Sequence, residues 1–268
     1  MRRVLLVAAV LAAMLVQPGA YSAGFFDPFN SIDSAWVTDR YEPAGFASVL
    51  FDGDYRLKIS VDSVHDTQQS GLANQFYWTE GRQRAAAIFA PWEVSGKLYV
   101  SEDMFEGKYL RRTDLWARTG VVGDETGALY PIIGLRRFDP NDFQNPLSKN
   151  IMSVWRVWDH DAGGWVNLAT PVKKGWHTLA IRGLGDRFEY YLNGNLVYTD
   201  LTVNTSLPNL TTVFVQAYNF GVAGQAADYY WDDVQARALP PIPEPVFFQM
   251  GALMGLSGLG LLRLRRKA

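Results

Sequence analysis

The sequence predicts an all-β domain, a two-sheet antiparallel β-sandwich, and three observations carry that prediction. Ten short segments rich in β-branched and aromatic residues recur through the middle of the chain, each bounded by Gly, Pro, Asn or Asp. Between the two ends, no window repeats its apolar residues at the helical period of about 3.6. Asn193-Gly194 sits between two such segments, and this pair tolerates the positive φ angles of a tight type I′ hairpin.

The chain opens on Met1, Arg2 and Arg3, an apolar run from Val4 to Val16, and Pro18-Gly19-Ala20-Tyr21-Ser22-Ala23. A basic start, a short apolar stretch and a small-residue zone make a secretory signal peptide over residues 1–23, with cleavage after Ala20, Ser22 or Ala23. The run is short and Pro18-Gly19 breaks it, which disfavours an uncleaved anchor. The sandwich is then expected over residues 24–239. Its strands are expected at Tyr55 to Val61, Gly96 to Ser101, Thr113 to Val122, Ile132 to Phe138, Ile151 to Trp158, Trp176 to Ile181, Phe188 to Leu192, Leu196 to Thr199, Thr211 to Tyr218 and Asp228 to Val234.

Composition narrows the function classes. Of 25 Lys and Arg and 27 Asp and Glu, 19 and 26 fall outside the two ends, so the core carries a net charge near −7. That sign disfavours nucleic acid as a partner. The chain contains no cysteine, so disulfides, thiolate metal sites and cysteine nucleophiles are excluded.

The tail, residues 240–268, has three parts in order. Pro240, Pro241, Ile242, Pro243, Glu244 and Pro245 form an extended linker; Val246 to Leu262 is apolar; Arg263, Leu264, Arg265, Arg266 and Lys267 are basic at all but one position. An apolar run of 17 residues spans roughly 25 Å as a helix, the short end of what crosses a bilayer. Gln249 and Ser257 make its insertion marginal. This arrangement resembles the PEP-CTERM sorting signal of Gram-negative bacteria. The resemblance implies recognition of Pro243, Glu244 and Pro245 by a membrane-embedded exosortase, with Arg263, Arg265, Arg266 and Lys267 as a retention element. It also implies a transient inner-membrane anchor, followed by release to the cell surface or extracellular matrix. A permanent single-pass anchor on a proline-rich stalk is the alternative.

In the core, "GWHTLAIRG" at Gly175, "FEYYLNGNLVY" at Phe188, "VFVQAYNF" at Val213 and "YYWDDV" at Tyr229 resemble the second half of concanavalin A-like (laminin G-like) jelly rolls. Trp36 to Phe46 and Phe51 to Ser60 are similar to exported proteins that carry the same sorting tail. Glycosidases of this fold place two carboxylates and an assisting acid on one strand. Glu102-Asp103 with Glu106, Asp124-Glu125 and Asp232-Asp233 do not alternate in that way. His65, His160 and His177 are scattered, so no triad is expected.

The strand ending Val154-Trp155-Arg156-Val157-Trp158 is bulky on both faces. Arg156 and Trp158, with Tyr218 and Asn219 from a later strand, are therefore candidate ligand contacts for stacking on and hydrogen-bonding sugar rings. A central strand covered on its outer face by the segment Asp139 to Lys149 would look the same. Asp159 and Asp161 alternate ahead of Gly163-Gly164, the oxygen-rich pattern of a calcium loop, and Asp52-Gly53-Asp54 is similar; both also fit ordinary hairpin turns. No other cofactor is expected.

The resulting expectation is an exported, non-catalytic module that binds carbohydrate or a partner in an extracellular polysaccharide layer. Its alternatives are a glycosidase or lyase of the same fold and a purely structural matrix protein.

Overall fold

The structure is a computed structural model, and it describes residues 24–65, 78–106, 110–121, 124, 126–138, 153–201, 208–220 and 224–241. The signal segment and Pro243, Glu244, Pro245, Arg263, Arg265, Arg266 and Lys267 lie outside the described residues, as does the segment Asp139 to Lys149. Among the described residues, no helix is long and apolar enough to cross a membrane. The chain divides into two units, residues 1–238 and 239–268, and the fold that follows is that of the first.

In chain order the strands are β1 (Phe25–Asp27), β2 (Val37–Thr38), β3 (Gly45–Phe51), β4 (Asp54–Asp62), β5 (Thr79–Ile88), β6 (Trp92–Val100), β7 (Arg111–Thr119), β8 (Ile132–Arg137), β9 (Ser153–Asp159), β10 (Gly164–Asn167), β11 (Gly175–Gly183), β12 (Phe188–Leu192), β13 (Asn195–Asp200), β14 (Leu210–Tyr218) and β15 (Ala226–Ala238). They form two antiparallel sheets. The first runs β13-β12-β11-β6-β15-β4-β3, with β1 added on β15; the second runs β10-β9-β8-β7-β14-β5-β2. The predicted all-β sandwich is therefore the observed one.

Alternation builds the core. Leu57, Ile59 and Val61 of β4, Leu98 and Val100 of β6 and Ile181 of β11 are buried. Facing them from the second sheet are Leu115 and Ala117 of β7, Ile133 and Leu135 of β8, Trp155 and Val157 of β9, and Val213 and Val215 of β14. Each large apolar side chain removed from water contributes about 1.5–3 kcal/mol. Polar tips of core aromatics tie the sheets together. The Trp231 indole donates to Thr113 Oγ1 at 2.9 Å, Tyr229 Oη accepts the Arg112 N–H at 3.1 Å, and the Tyr190 hydroxyl donates to the Trp158 carbonyl at 3.0 Å. These bonds fix which residues of β7 and β9 point inward, and so which point out.

The β12–β13 hairpin turns on Asn193 and Gly194 at φ 51° and 79°, as their sequence predicts. Asp52 and Gly53 turn β3 into β4 at φ 50° and 84°, so this acidic pair is turn chemistry. Strands β1, β2, β3, β5 and β10 were not expected. β5 reads Thr-Glu-Gly-Arg-Gln-Arg-Ala-Ala-Ala-Ile, which has little β-branched or aromatic character. It is a strand because β14 and β2 flank it on both sides. In β15 a register shift between Asp232 and Gln235 puts Val234 in the core and leaves Asp233 paired to Lys97 at 2.5 Å.

Candidate active site on the outer face of the second sheet

The inward turn of Leu115, Ile133, Trp155 and Val215 sends their neighbours to the opposite face. Strand pairing then aligns one continuous row across the sheet: Asn167 on β10, Arg156 on β9, Gly134 on β8, Asp114 on β7, Gln216 on β14 and Gly81 on β5. One row along, Trp165, Trp158, Ile132, Trp116 and Phe214 are in register. On the other side stand Val154, Arg136, Arg112 and Tyr218. The face thus has a polar middle, an aromatic side and a cationic side.

The middle is buried. Arg156 and Asp114 are each 1% exposed, Arg112 4% and Gln216 0%, an environment in which polar atoms need partners. Asp114 Oδ2 accepts from Arg112 Nε at 2.5 Å, while Arg156 Nη2 lies 4.0 Å from Asp114 Oδ1, beyond hydrogen-bonding distance. Gln216 Nε2 donates to Asp39 Oδ2 at 3.0 Å, and Asp39 is itself paired with Arg40 at 2.6 Å. Among the described residues, several buried atoms have no hydrogen-bond partner: Arg156 Nε and Nη2, Arg112 Nη2, Asp114 Oδ1 and Gln216 Oε1.

Glycine makes room for this arrangement. A Cβ at Gly134 would sit 2.0 Å from Asp114 Oδ1, and one at Gly81 would meet Gln216 Oε1 at 2.9 Å and the Val215 carbonyl at 2.2 Å. The carboxylate and the amide lie across the sheet because neighbours without side chains let them.

Aromatic rings hold the cations. The Arg156 guanidinium lies 3.6 Å over the Trp165 ring; the Arg112 guanidinium lies 4.6 Å from Trp165 and 4.8 Å from Tyr218. Burial, followed by the like charge of Arg112, pushes Arg156 well below the usual arginine range, with Asp114 opposing. Arginine stays protonated in proteins, so this direction marks a cation held where burial above all disfavours it. Burial raises the Tyr218 hydroxyl, and the charges of Arg112, Arg136 and Arg156 pull it back down. The arrangement can therefore grip an anion, accept hydrogen bonds from hydroxyls and stack a ring.

The structure brings together Arg156, Trp158 and Tyr218 of the sequence-predicted ligand contacts. Asn219 does not join them. It is fully buried, and its Nδ2 donates to the Asp62 carbonyl at 2.9 Å and to Glu80 Oε1 at 3.0 Å, so it ties strand ends together. Asp159 and Asp161 belong to the β9–β10 turn. Asp159 Oδ1 accepts the Ala162 N–H at 2.8 Å and Oδ2 accepts the Tyr198 hydroxyl, whose pKa is pushed up to about 12 by that bond. The Asp159 carboxylate is thus engaged in closing a hairpin. Among the described residues, no three His, Cys, Asp or Glu side chains converge as a metal site. Arg112, Asp114 and Gln216 were missed. The signal that could have found them is the β7 alternation itself, in which Arg112, Asp114, Trp116 and Arg118 share the face opposite Thr113, Leu115 and Ala117.

No protein-family model and no curated protein sequence matches this chain. Its fold does match solved structures. A sialidase superposes with a TM-score of 0.50 at 13% identity over 81% of this chain, and the match spans only 18% of the sialidase. A mutant of the alginate lyase Aly36B, solved with an alginate tetrasaccharide, also gives a TM-score of 0.50, at 10% identity, over 84% of this chain and 100% of the lyase. A Bacillus licheniformis beta-glucanase gives 0.43 at 15% identity, over 84% and 100%. At these identities the likeness shows the fold alone, a concanavalin A-like jelly roll.

The expectation of a non-catalytic binding module is corrected here. Of the solved structures with this fold, the alginate lyase, matched over its whole length, is named as an enzyme, so the enzyme alternative is the one taken up as a proposal below. Two acids lie on this face without sharing a strand: Asp114 on β7, and Asp39, the residue after β2, bonded to Gln216 opposite Asp114.

Proposed function

We propose that the chain is a polysaccharide-active enzyme, a glycosidase or a lyase, working on the outer face of the second sheet. One observation carries the reading. Asp114, Arg112, Arg156, Gln216 and Tyr218 gather beside Trp158 and Trp165 on a single face, with polar atoms buried and unbonded. Buried, unpaired polar groups at the centre of a sheet are costly to a fold and useful to a substrate. The fold is one on which an alginate lyase is built, and that likeness supports the reading. The test is release of reducing ends from a panel of bacterial, algal and plant polysaccharides. Wild-type protein is expected to generate new ends on at least one polymer, and D114N to do so at least about 100-fold more slowly. Absence of product from every polymer would overturn the reading.

We also propose that the protein is exported and carries a PEP-CTERM sorting tail, a transient inner-membrane anchor read by an exosortase before relocation to the surface or matrix. The basic start and apolar run of residues 1–23 support export. Pro243-Glu244-Pro245, the apolar run and the arginine-rich end support the sorting tail. Mass spectrometry of protein from the surface fraction is the check: a chain shortened near Pro245 is expected, and one still ending at Ala268 would sink the sorting reading.

A further inference from the structure

We infer that the polymer this face receives is anionic: the oxyanion of an acidic sugar docks on Arg112 and Arg156, while hydroxyls of the same ring reach Gln216 and Asp114. The inference rests on the polysaccharide-active reading above and adds the substrate class. The site has unmet capacity of two kinds. Arg156 Nε and Nη2 and Arg112 Nη2 are donors with nothing to donate to, and Asp114 Oδ1 and Gln216 Oε1 are acceptors with nothing to accept. Neutral glycans would satisfy the acceptors through their hydroxyls but bring no negative charge to Arg112 Nη2 or to Arg156 Nε and Nη2. A ring bearing both an oxyanion and hydroxyls meets both demands.

Charge points the same way. Among the described residues, Arg112 and Arg156 stand beside Asp114, which is already held by Arg112, and Asp39, bonded to Gln216, is paired with Arg40. The downward push on Arg156 comes from burial and from Arg112, and a bound anion would relieve it. A planar carboxylate suits the guanidinium fork, as in a uronic acid; a sulfate ester offers the same oxyanion chemistry from a different polymer.

The chain as a whole is acidic, with 27 Asp and Glu against 25 Lys and Arg, so attraction must be local rather than global. Trp165, stacked 3.6 Å from Arg156 on the edge strand β10, lies where an arriving anion would disturb it, which provides a readout independent of catalysis.

The experiment titrates the full-length protein with a polyuronate, the same polyuronate after chemical reduction of its carboxyl groups, a sulfated galactan and a neutral β-glucan. Tryptophan fluorescence is followed in wild type and W165F, and product release in parallel. Binding of the polyuronate is expected to weaken about 10- to 100-fold on carboxyl reduction, and by a similar factor in R156K, where the fork is lost. A preference for the sulfated galactan would assign the oxyanion to a sulfate ester and uphold the anionic class. Equal affinity for neutral and acidic polymers would overturn the inference. If neutral glucan is cut as fast as polyuronate, the enzyme reading stands and this inference falls. If polyuronate binds through Arg156 but no polymer is cut, the inference stands and the enzyme reading falls. Should R156K fail to fold, the comparison of native and carboxyl-reduced polymer on wild-type protein decides the matter alone.

Discussion

The outer faces of the two sheets differ in how fully their charges are partnered. On the first sheet, Arg56 pairs with Asp232 at 2.8 Å, Lys97 with Asp233 at 2.5 Å, and Arg182 and Arg237 both hold Glu93, at 2.7 and 2.6 Å. Phe51, Tyr99, Trp176 and Tyr230 pack on one another there, with Phe51 stacked on Tyr230 at 3.7 Å. Cations and acids meet as partners. On the second sheet, Arg112 and Arg156 face Asp114, and donors and acceptors are left over in a more buried setting. Among the described residues, the first sheet leaves Arg56 Nε and Asp232 Oδ1 over, whereas the second gathers five such atoms on Arg112, Asp114, Arg156 and Gln216. The pattern of partners, not the presence of charge or aromatics, separates a stabilising surface from a site.

The largest expected break of this contrast is R156M. Loss of the guanidinium should cut action on an acidic polymer at least about 100-fold, since a buried charge-assisted contact to substrate is lost. The matching change on the other face, R182M, should leave activity unchanged. Next comes G134A. Its Cβ would overlap Asp114 Oδ1 at 2.0 Å and the Thr113 carbonyl at 2.6 Å, so the strands must shift; a cost of about 2–4 kcal/mol, read from chemical denaturation, is expected together with loss of activity.

E93Q sharpens the comparison from the stable side. Burial raises the Glu93 carboxyl, but hydrogen bonds from Arg182 and Arg237 more than offset this and hold it below its usual value. A depressed carboxylate stabilises the fold above its unfolded pKa, and that contribution disappears as pH falls through the folded value. E93Q should therefore cost about 1–3 kcal/mol near pH 7 with activity intact, and the gap to wild type should narrow below about pH 4. A gap that stays constant down to pH 3 would refute the ion-pair account. The smallest effect belongs to G194A at the β12–β13 hairpin. Gly194 has φ 79° with nothing within 4 Å of a built Cβ, so the loss is conformational alone, about 1 kcal/mol.

Much of the fold was legible because its signals are local. Asn193-Gly194 specifies its own turn, and runs such as Phe188 to Leu192 alternate so regularly that only a half-buried strand fits. β5 was illegible because its strand character comes from neighbours distant in sequence, β14 above all. The site was legible by halves for the same reason. Arg156, Trp158 and Tyr218 stood out because their strands are bulky on both faces. Arg112, Asp114 and Gln216 carry no such local signal; register places Asp114 and Gln216 across from Gly134 and Gly81, and Arg112 across from Arg136.

The claim that Arg156 serves a ligand rather than the fold is tested most directly by the unfolding midpoint of R156M beside wild type, both without polymer. Asp114 keeps its 2.5 Å bond to Arg112 in the variant, and a buried, under-partnered charge is replaced by an apolar side chain of similar length. The predicted result is a midpoint equal to or a few degrees above wild type, on a scale of about 2–4 °C per kcal/mol for a domain of this size. A fall of more than about 5 °C would contradict the account and make Arg156 a structural element of the second sheet.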